Sequence, residues 1–443
     1  MKKLTLKENI AIGSLLFGLF FGAGNIIFPV HMGQLAGSNY LNAALGFIST
    51  AIGLPILGVM SYSLSGKNNL REYASPGGKF FSLFFPLALL LTIGPFFAVP
   101  RTATVAFEVG IRPFLHNNFN LYLFIYSLVF FALALYFSLK PNNILDVVGK
   151  FLTPAFLGLI SILLIFTMLK PMGDPSGVLA QEQYQNVAFS TGIIDGYETM
   201  DALAGLVFAI TIITNIKKLG IVAEKRISLE TGKSSIFAIF FMSILYLGLT
   251  YLGTTSRGIM SVNENGGITL SMVSAHYFGL LGQLLLAITI TIACLKTAIG
   301  LFVSIGDTFT EMFKDRLSYP QWVMLFVVVS FIVANFGLNT IISLSLPVLM
   351  LLYPLAFTLI TLWFIHSYVP LKDTAFKFSL IVISLPALFD FFNAVPENLK
   401  IGIVPSLINF AENYIPLFMV GLGWSIPLII AIILSLIFFR RKK

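Results

Sequence analysis

Long apolar runs separated by short polar segments dominate this sequence. At about 20 apolar residues per membrane crossing, the pattern predicts an all-α polytopic membrane protein with one membrane domain over residues 1–443. The polar stretches 170–187, 216–234, 257–275 and 396–414 are too short to form a soluble domain. The twelve predicted helices lie near residues 9–31, 41–64, 80–110, 120–139, 144–169, 188–215, 235–256, 279–306, 320–337, 341–366, 377–395 and 415–439.

The first predicted helix contains residues that weaken a helix, namely Gly18, Gly22, Gly24, Asn25 and Pro29. In hydrocarbon every backbone N–H and C=O needs a partner, so an unwound segment is tolerated only beside a cavity or inside protein. The alternative is close helix packing, for which the spacing of Gly18 and Gly22 is typical. Taken alone, the stretch leaves both interpretations open.

The sixth predicted helix has a similar interruption. Asp195, Gly196, Glu198, Asp201 and Gly205 break its apolar run. A carboxylate in mid-membrane costs several kcal/mol unless it faces water or a partner, although Asp195 has the alternative of solvation at the outer surface. Interruptions in corresponding helices of two halves are typical of an inverted-repeat transporter with its binding site at the midplane. The helices then divide as 5+5+2, with repeats over 1–169 and 188–366 followed by 377–439.

Such interruptions carry a specific chemistry. A broken helix offers free N–H groups and the positive end of its dipole to an anion, and its other broken end offers carbonyl oxygens to a cation. A zwitterionic amino acid has one group of each kind. The sequence therefore favours amino acid transport by alternating access.

Composition agrees with a membrane location. The chain is 57% hydrophobic and 10% charged, and its single cysteine excludes a disulfide within the chain. The net charge of +8 reflects topology and attraction to anionic lipid rather than nucleic acid binding. With both termini assigned to the cytoplasm, the outer segments hold only four of the 27 basic residues, Arg112, Lys170, Arg257 and Lys400. Because cytoplasmic segments hold most Lys and Arg residues in membrane proteins, this distribution predicts that both termini are cytoplasmic.

Other functional classes lack their signatures. We find no glycine-rich phosphate loop followed by Lys-Ser or Lys-Thr, which argues against an ATP-driven pump. His31, His116, His276 and His366 have no metal-ligand spacing, and no catalytic constellation is visible, so neither an enzyme nor a bound cofactor is expected. A channel is disfavoured because twelve dissimilar helices supply no repeated pore unit.

Four strings spread along the chain resemble the bacterial branched-chain amino acid:cation symporter family, in the amino acid–polyamine–organocation superfamily. The resemblance implies the leucine-transporter fold in a bacterial plasma membrane, and uptake of leucine, isoleucine and valine with sodium or, in some members, protons. A different apolar amino acid is the alternative substrate. The strings are GLFFGAGNIIFPVHMGQLAG at 18–37, IGPFFAVPRTATVAFEVGI at 93–111, GYETMDALAGLVFAI at 196–210 and ACLKTAIGL at 293–301.

The resemblance also implies residue roles. Ala23, Gly24 and Asn25 would present N–H groups to the substrate carboxylate, and residues 196–201, including Gly196, Tyr197, Glu198 and Asp201, would meet its ammonium group. A coupling cation would bind to carbonyl groups from Gly18 to Phe21 and to the Thr297 hydroxyl, and Asn25 is a further candidate ligand.

Charged residues inside predicted helices need explanation. Arg101 and Glu108 lie seven residues apart on one face, about 10.5 Å along the axis, and solvation at the outer interface is the favoured interpretation for Glu108. Lys296 lies too deep to reach water by extending its side chain. Its ammonium group either replaces a bound cation, which would favour proton coupling, or forms an ion pair with Asp201 or Glu198. Asp390, on the eleventh helix, is expected to be solvated; the role of the last two helices and the oligomeric state stay open.

Overall fold

The computed structural model describes residues 3–140, 144–314 and 316–440, with backbone alone for 144–155. Apart from an isolated bridge between Leu371 and Arg440, the described residues form no β structure. The helical class predicted from the sequence is therefore confirmed for this part of the chain. Four basic residues used in the topology prediction, Lys2, Arg441, Lys442 and Lys443, lie outside the described residues.

The α-helices of the described residues are numbered in chain order. They are α1 Leu6–Phe20, α2 Gly24–Ala36, α3 Tyr40–Ile48, α4 Leu54–Ser65, α5 Leu70–Ala74, α6 Lys79–Leu91, α7 Ala98–Gly110, α8 Phe119–Leu139, α9 Ile144–Leu169, α10 Glu182–Gln185, α11 Ala188–Tyr197, α12 Asp201–Lys218, α13 Glu224–Ser256, α14 Gly266–Met312, α15 Tyr319–Ala334, α16 Leu338–Tyr368, α17 Asp373–Ala394, α18 Val404–Tyr414 and α19 Ser425–Phe438.

Several of these helices are long and apolar enough to cross a membrane. Among the described residues there are seven such helical stretches, or eight if the bent pair α11 and α12 counts as one span. The seven are Gly24–Ser65, Lys79–Phe114, Phe119–Leu139, Glu224–Ser256, Gly266–Met312, Leu338–Tyr368 and Asp373–Ala394, and shorter apolar helices are Phe156–Leu169, Tyr319–Ala334 and Ser425–Phe438.

One predicted helix and two predicted polar segments differ from the structure for physical reasons. Within Gly266–Met312 the chain is kinked at Gly279, whose φ and ψ are 60° and −155°, so the part after the kink begins where the eighth helix was predicted. The part before the kink lies largely in a predicted polar segment, and the Asn265 side chain caps its start by accepting hydrogen bonds from the N–H groups of Gly267 and Ile268. The run predicted as one helix over 415–439 begins as a helix only at Ser425, since Leu417 and Gly421 have positive φ values of 62° and 71°. Helix α18 occupies a stretch predicted to be a polar segment.

Glycine contacts bring the interrupted helices close to their neighbours. A Cβ atom on Gly33 of α2 would lie 2.0 Å from the carbonyl oxygen of Thr250 in α13, and one on Gly253 would lie 2.0 Å from that of Val30. Helices α11 and α3 meet in the same way, because a Cβ on Gly192 would lie 2.0 Å from the Ala43 carbonyl oxygen. Small residues at these crossings allow backbones to approach within the membrane, and they fix α2 and α11 firmly beside the site described next.

Candidate functional site

The first interruption separates α1 from α2. Helix α1 ends at Phe20, Phe21 is extended with φ −78° and ψ 93°, and α2 begins at Gly24. Ala23, the residue before α2, makes no side-chain cap, and the N–H of Ile26 donates to the Ala23 carbonyl at 3.3 Å. The N–H groups of Gly24 and Asn25, at the start of the helix, have no intrahelical partner. The N–H of Gly22 donates to Oδ1 of Asn25 at 2.9 Å. Asn25 therefore closes the interruption on one side and leaves the helix end available to an anion.

The second interruption lies between α11 and α12, whose axes are bent by 47°. Met200 has a φ of 62° at this point, an uncommon value for a residue with a side chain. Two carbonyl oxygens at the interruption have side-chain partners: that of Tyr197 accepts a 2.9 Å hydrogen bond from the Tyr353 hydroxyl, and that of Glu198 accepts one of 2.5 Å from Nη1 of Arg101. Asp201, in the first turn of α12, provides a carboxylate at the positive end of that helix.

One side chain joins the two interruptions. Nδ2 of Asn25 donates hydrogen bonds to Oδ2 of Asp201 and, at 2.6 Å, to the hydroxyl of Tyr246 on α13. Asn25 and Asp201 are 2% and 4% exposed. The structure thus brings together Asn25 and Asp201, which are 176 positions apart in the sequence, in a dry, hydrogen-bonded centre. A tyrosine inside an apolar run is the sequence signal by which Tyr246 and Tyr353 could have been found.

A third helix is also interrupted, which the sequence analysis missed. The stretch predicted as one helix over 80–110 contains a π-helical turn at Thr92–Phe96, with Gly94 at φ −96° and ψ −120°, before α7 begins at Ala98. This turn places Arg101 in the first part of α7, where its guanidinium contacts Glu198 and, through Nη2, the Met200 sulfur at 3.2 Å. The signal was present as Gly94 and Pro95, which favour a kink in a helix.

A cavity of about 70 Å³ lies where the three interruptions meet. Its polar wall includes Gly22, Ala23, Gly24, Asn25, Arg101, Thr199, Asp201 and Thr297, and its apolar wall includes Leu19, Phe20, Ile93, Ala98, Ala204, Phe208 and Leu301. A carboxylate, a guanidinium and a helix N-terminus therefore line the same cavity as aliphatic and aromatic side chains. These groups match the two charges and the apolar side chain of a small zwitterion, while the cavity itself is smaller than the roughly 300 Å³ of typical ligand pockets.

A larger cavity of about 700 Å³ adjoins the small one, and Thr297 lines both. Gly18, Phe21 and Lys296 line the larger cavity, so the residues proposed for a coupling cation share its wall, except for Asn25. Thr297 donates its hydroxyl hydrogen to the Ala293 carbonyl at 3.0 Å, which leaves the oxygen's lone pairs available as an acceptor.

Lys296 is half-buried and lies at the wall of the larger cavity, which Asp307 also lines. The sequence did not reveal this cavity, because depth along a helix gives no information on the space beside it. The predicted role of Lys296, as a substitute for a bound cation or as half of an ion pair with Asp201 or Glu198, stays a prediction.

Two acidic residues predicted to be solvated are buried. Glu108 does not meet Arg101; it forms a 2.7 Å ion pair with Arg112, one helical turn later, and its side chain is 9% exposed. Asp390 is 0% exposed, and neither of its carboxylate oxygens has a hydrogen-bond partner among the described residues. In both cases packing by later segments, which hydropathy does not reveal, covers the end of the helix.

The other candidates from the sixth predicted helix are more peripheral. Oδ2 of Asp195 accepts a 2.7 Å hydrogen bond from Tyr184, and Asp195 and Glu198 line a separate cavity of about 440 Å³ beside His31. Gly196 packs against the end of α3 and the turn after it, since a Cβ there would lie 2.9 Å from the Phe47 carbonyl oxygen and 2.0 Å from the Thr50 hydroxyl oxygen. Tyr197 stacks on Tyr353, with ring centroids 4.0 Å apart. Of this group, Asp201 alone lines the small cavity.

Comparison with known sequences identifies a consistent set of relatives. The family model described as "Branched-chain amino acid transport protein" matches residues 5–442. The branched-chain amino acid permease BrnQ of Lactobacillus delbrueckii subsp. lactis is 42% identical, with 96% of this chain and 95% of that protein aligned. The proteins of the same name from Bacillus subtilis and Escherichia coli are 39% and 36% identical, over 97% and 99% of this chain and 96% and 97% of their own lengths.

Solved structures show the fold. The transporter Mhp1, described as a member of the nucleobase-cation-symport-1 family, is similar in a closed conformation with bromovinylhydantoin bound, with a TM-score of 0.62 at 15% identity over 97% of this chain and 91% of that one. Its inward-facing conformation gives a TM-score of 0.63 at 13% identity, with 97% and 89% covered. At such identity the likeness extends to the fold alone.

Proposed function

The chain belongs to the family of branched-chain amino acid transport proteins, and on that premise we propose how its helix interruptions carry an amino acid across the membrane. The protein is a transporter and not an enzyme, and its transporter fold suits secondary transport by alternating access. The observation that carries the proposal is the hydrogen bond between Asn25 and Asp201, which joins the two interruptions at the small cavity.

In this proposal the substrate is leucine, isoleucine or valine. The substrate ammonium group binds to the side-chain carboxyl group of Asp201, which lines the cavity, and the substrate carboxylate faces the N–H groups of Ala23, Gly24 and Asn25 at the start of α2. The branched side chain packs against the apolar wall, where Phe208 and Leu301 belong to both cavities. The side chains of Tyr353 and Arg101 donate hydrogen bonds to the carbonyl groups of Tyr197 and Glu198 and so stabilise the interruption. Asp201 is then the principal group that contacts the substrate ammonium.

The architecture that supports this cycle has twelve spans. The first five and the next five form inverted repeats over 1–169 and 188–366, with the interruptions in spans 1 and 6, and 377–439 adds two spans. With both termini cytoplasmic in a bacterial plasma membrane, the larger cavity lies on the cytoplasmic side of the site, because it is lined by Phe17 and Gly18 of α1 and by Asp307 and Thr308 of α14. The cavity beside His31 and Glu264 then faces outward.

We assign the coupling step to the wall between the small and larger cavities. Carbonyl groups from Gly18 to Phe21 and the Thr297 hydroxyl provide oxygen ligands of the kind that sodium uses, and Lys296 provides an ammonium group in the same wall. When that ammonium supplies the positive charge, binding and release of its proton replace binding of sodium. We propose this second course, in which Lys296 carries the coupling charge in the cavity wall that it shares with the proposed oxygen ligands.

Uptake of labelled leucine into proteoliposomes tests the proposal. Sodium and proton gradients are imposed separately, and an ionophore that collapses each gradient serves as control. We expect saturable uptake driven by the proton gradient and inhibited by unlabelled isoleucine and valine. Lys296→Thr, measured in the same two gradients, should shift the preference towards sodium, and an unchanged preference would reject the role of the lysine. Absence of leucine uptake in both gradients would overturn the proposed function itself.

A further inference from the structure

In the proposed cycle Arg101 only donates a hydrogen bond to the Glu198 carbonyl, although it lies beside the proposed binding site. Its side chain is 3% exposed and lines the small cavity. It lies on the same side as the start of α2, since a Cβ atom built on Gly24 would lie 3.7 Å from Nη1 of Arg101. The guanidinium carbon sits 5.0 Å from the centre of the Phe28 ring, a cation–π contact that orients the group.

In the described part of the chain Arg101 forms no direct ion pair, and the carboxylates that act on its charge, Glu198 and Asp201, do so from beyond 4.0 Å. Its two hydrogen bonds go to neutral acceptors, the Glu198 carbonyl and the Met200 thioether, and its Nε–H has no partner there. No carboxylate oxygen of the described residues lies within 4.0 Å of its guanidinium nitrogens. A buried cation is costly unless an anion and hydrogen bonds compensate it.

We propose that Arg101 binds the carboxylate of the transported amino acid, an assignment that rests on the proposed function. A guanidinium presents its donors in a planar fork that matches a carboxylate in shape. The substrate would then lie between Arg101 and Asp201, with the N–H groups at the start of α2 as additional donors to the carboxylate. Arg101 also holds the Glu198 carbonyl, so arrival of the substrate carboxylate and the position of the second interruption are linked through one side chain.

A purely structural role for Arg101 predicts something different. If the guanidinium acts only by holding the Glu198 carbonyl and the Met200 sulfur in place, its loss damages the site equally for every ligand. If it binds a carboxylate, its loss weakens ligands that have a carboxylate and spares those that lack one. The two roles are therefore distinguished by comparing the affinities of two ligands, one with a carboxylate and one without, rather than by measuring transport activity alone.

The suitable pair is leucine and leucinol, in which a hydroxymethyl group replaces the carboxylate while the ammonium group and side chain are kept. Affinities are measured by calorimetry on purified protein, wild type and Arg101→Gln, with thermal unfolding as a check that each variant is folded. In the wild type we expect leucine to bind more tightly than leucinol. In Arg101→Gln the leucine-to-leucinol affinity ratio should fall about tenfold or more, as expected for loss of a charge-assisted hydrogen bond.

Two further variants make the test specific. Arg112→Gln removes an arginine of the same region that is paired with Glu108 and Glu264 instead, and it should leave the ratio unchanged. Arg101→Lys keeps the positive charge but lacks the planar set of guanidinium donors, so we expect it to retain part of the wild-type leucine-to-leucinol affinity ratio. This variant replaces Arg101→Gln in the test if Arg101→Gln does not fold. An affinity ratio in the Arg101 variants equal to that of the wild type would overturn the proposal while leaving the proposed function intact. If the wild type transports no leucine, the proposed function fails, and the proposal fails with it.

Discussion

The two interruptions beside the small cavity are alike in the sequence and unlike in the structure. The first, between Phe20 and Gly24, keeps the N–H groups at the start of α2 without a side-chain cap and is closed by the Asn25 side chain. The second, between Tyr197 and Asp201, has two of its carbonyl groups bonded to Tyr353 and Arg101 and leaves a carboxylate beside the cavity.

The difference indicates how each interruption serves a zwitterion. The first keeps the N–H groups of Gly24 and Asn25 for an anion, because its helix start has no side-chain cap. The second has two of its carbonyl groups bonded to side chains, so in our proposal a cationic group meets the Asp201 side chain instead. An interruption in a membrane helix therefore does not by itself define a ligand; the side chains from neighbouring helices determine which backbone groups stay available.

The largest effect is expected from the second interruption. Asp201→Asn removes the charge that we assign to the substrate ammonium but keeps a group able to accept a hydrogen bond from Asn25. Loss of one partner of a buried charge pair costs about 2 kcal/mol or more, so leucine affinity should fall by about 30-fold or more. Leucine binding to purified protein by calorimetry measures this effect.

Asp195→Asn is the matched control for Asp201→Asn. Asp195 lies on the other helix of the bent pair, accepts a hydrogen bond from Tyr184 and lines the cavity beside His31. Its amide variant should change leucine affinity by less than about threefold, the range of ordinary surface substitutions. Equal losses in the two variants would show that the effect is not specific to the carboxyl group beside the small cavity, and would remove Asp201 from the binding role that we assign to it.

A smaller effect is expected at the first interruption. A Cβ atom on Gly24 would lie 3.0 and 3.3 Å from carbons of the Phe28 ring and 3.7 Å from Arg101 Nη1, so Gly24→Ala crowds the donor side of the site. Overpacking of this kind costs about 1 kcal/mol, and the initial rate of leucine uptake should fall about fivefold.

Gly18→Ala provides the comparison, because a Cβ on Gly18 meets no atom within 4 Å and the substitution keeps the carbonyl group proposed for the cation. We expect uptake within about twofold of the wild type, since a surface change without contacts has little effect. If both glycine variants lose activity alike, flexibility of the whole stretch, and not the space beside Gly24, is what the first interruption provides.

The sequence predicted interruptions in the first and sixth helices because their residues are costly in a lipid environment. Glycines with Asn25, and carboxylates in an apolar run, stand out against hydrocarbon whatever the rest of the fold. Membership of the family followed from strings that span most of the chain. Neither signal depends on tertiary contacts, which is why both were readable without a structure.

Features that depend on packing were not predictable in this way. The π-helical turn before α7 and the engagement of Arg101 with Glu198 require helices far apart in the chain. Burial of Asp390 depends on segments that fold over the end of α17, and a cavity beside Lys296 does not follow from its distance to the helix ends. The Glu108 and Arg112 pair, four residues apart, could have been recognised from helical spacing alone.

A structure determined with leucine bound tests the central claim most directly. The account predicts leucine between α2, α7 and α12, with its ammonium group within hydrogen-bonding distance of Asp201 and its carboxylate towards Gly24 and Arg101. Leucine bound only in the cavity beside His31 and Glu264, or with its carboxylate turned away from both Arg101 and the start of α2, would contradict it.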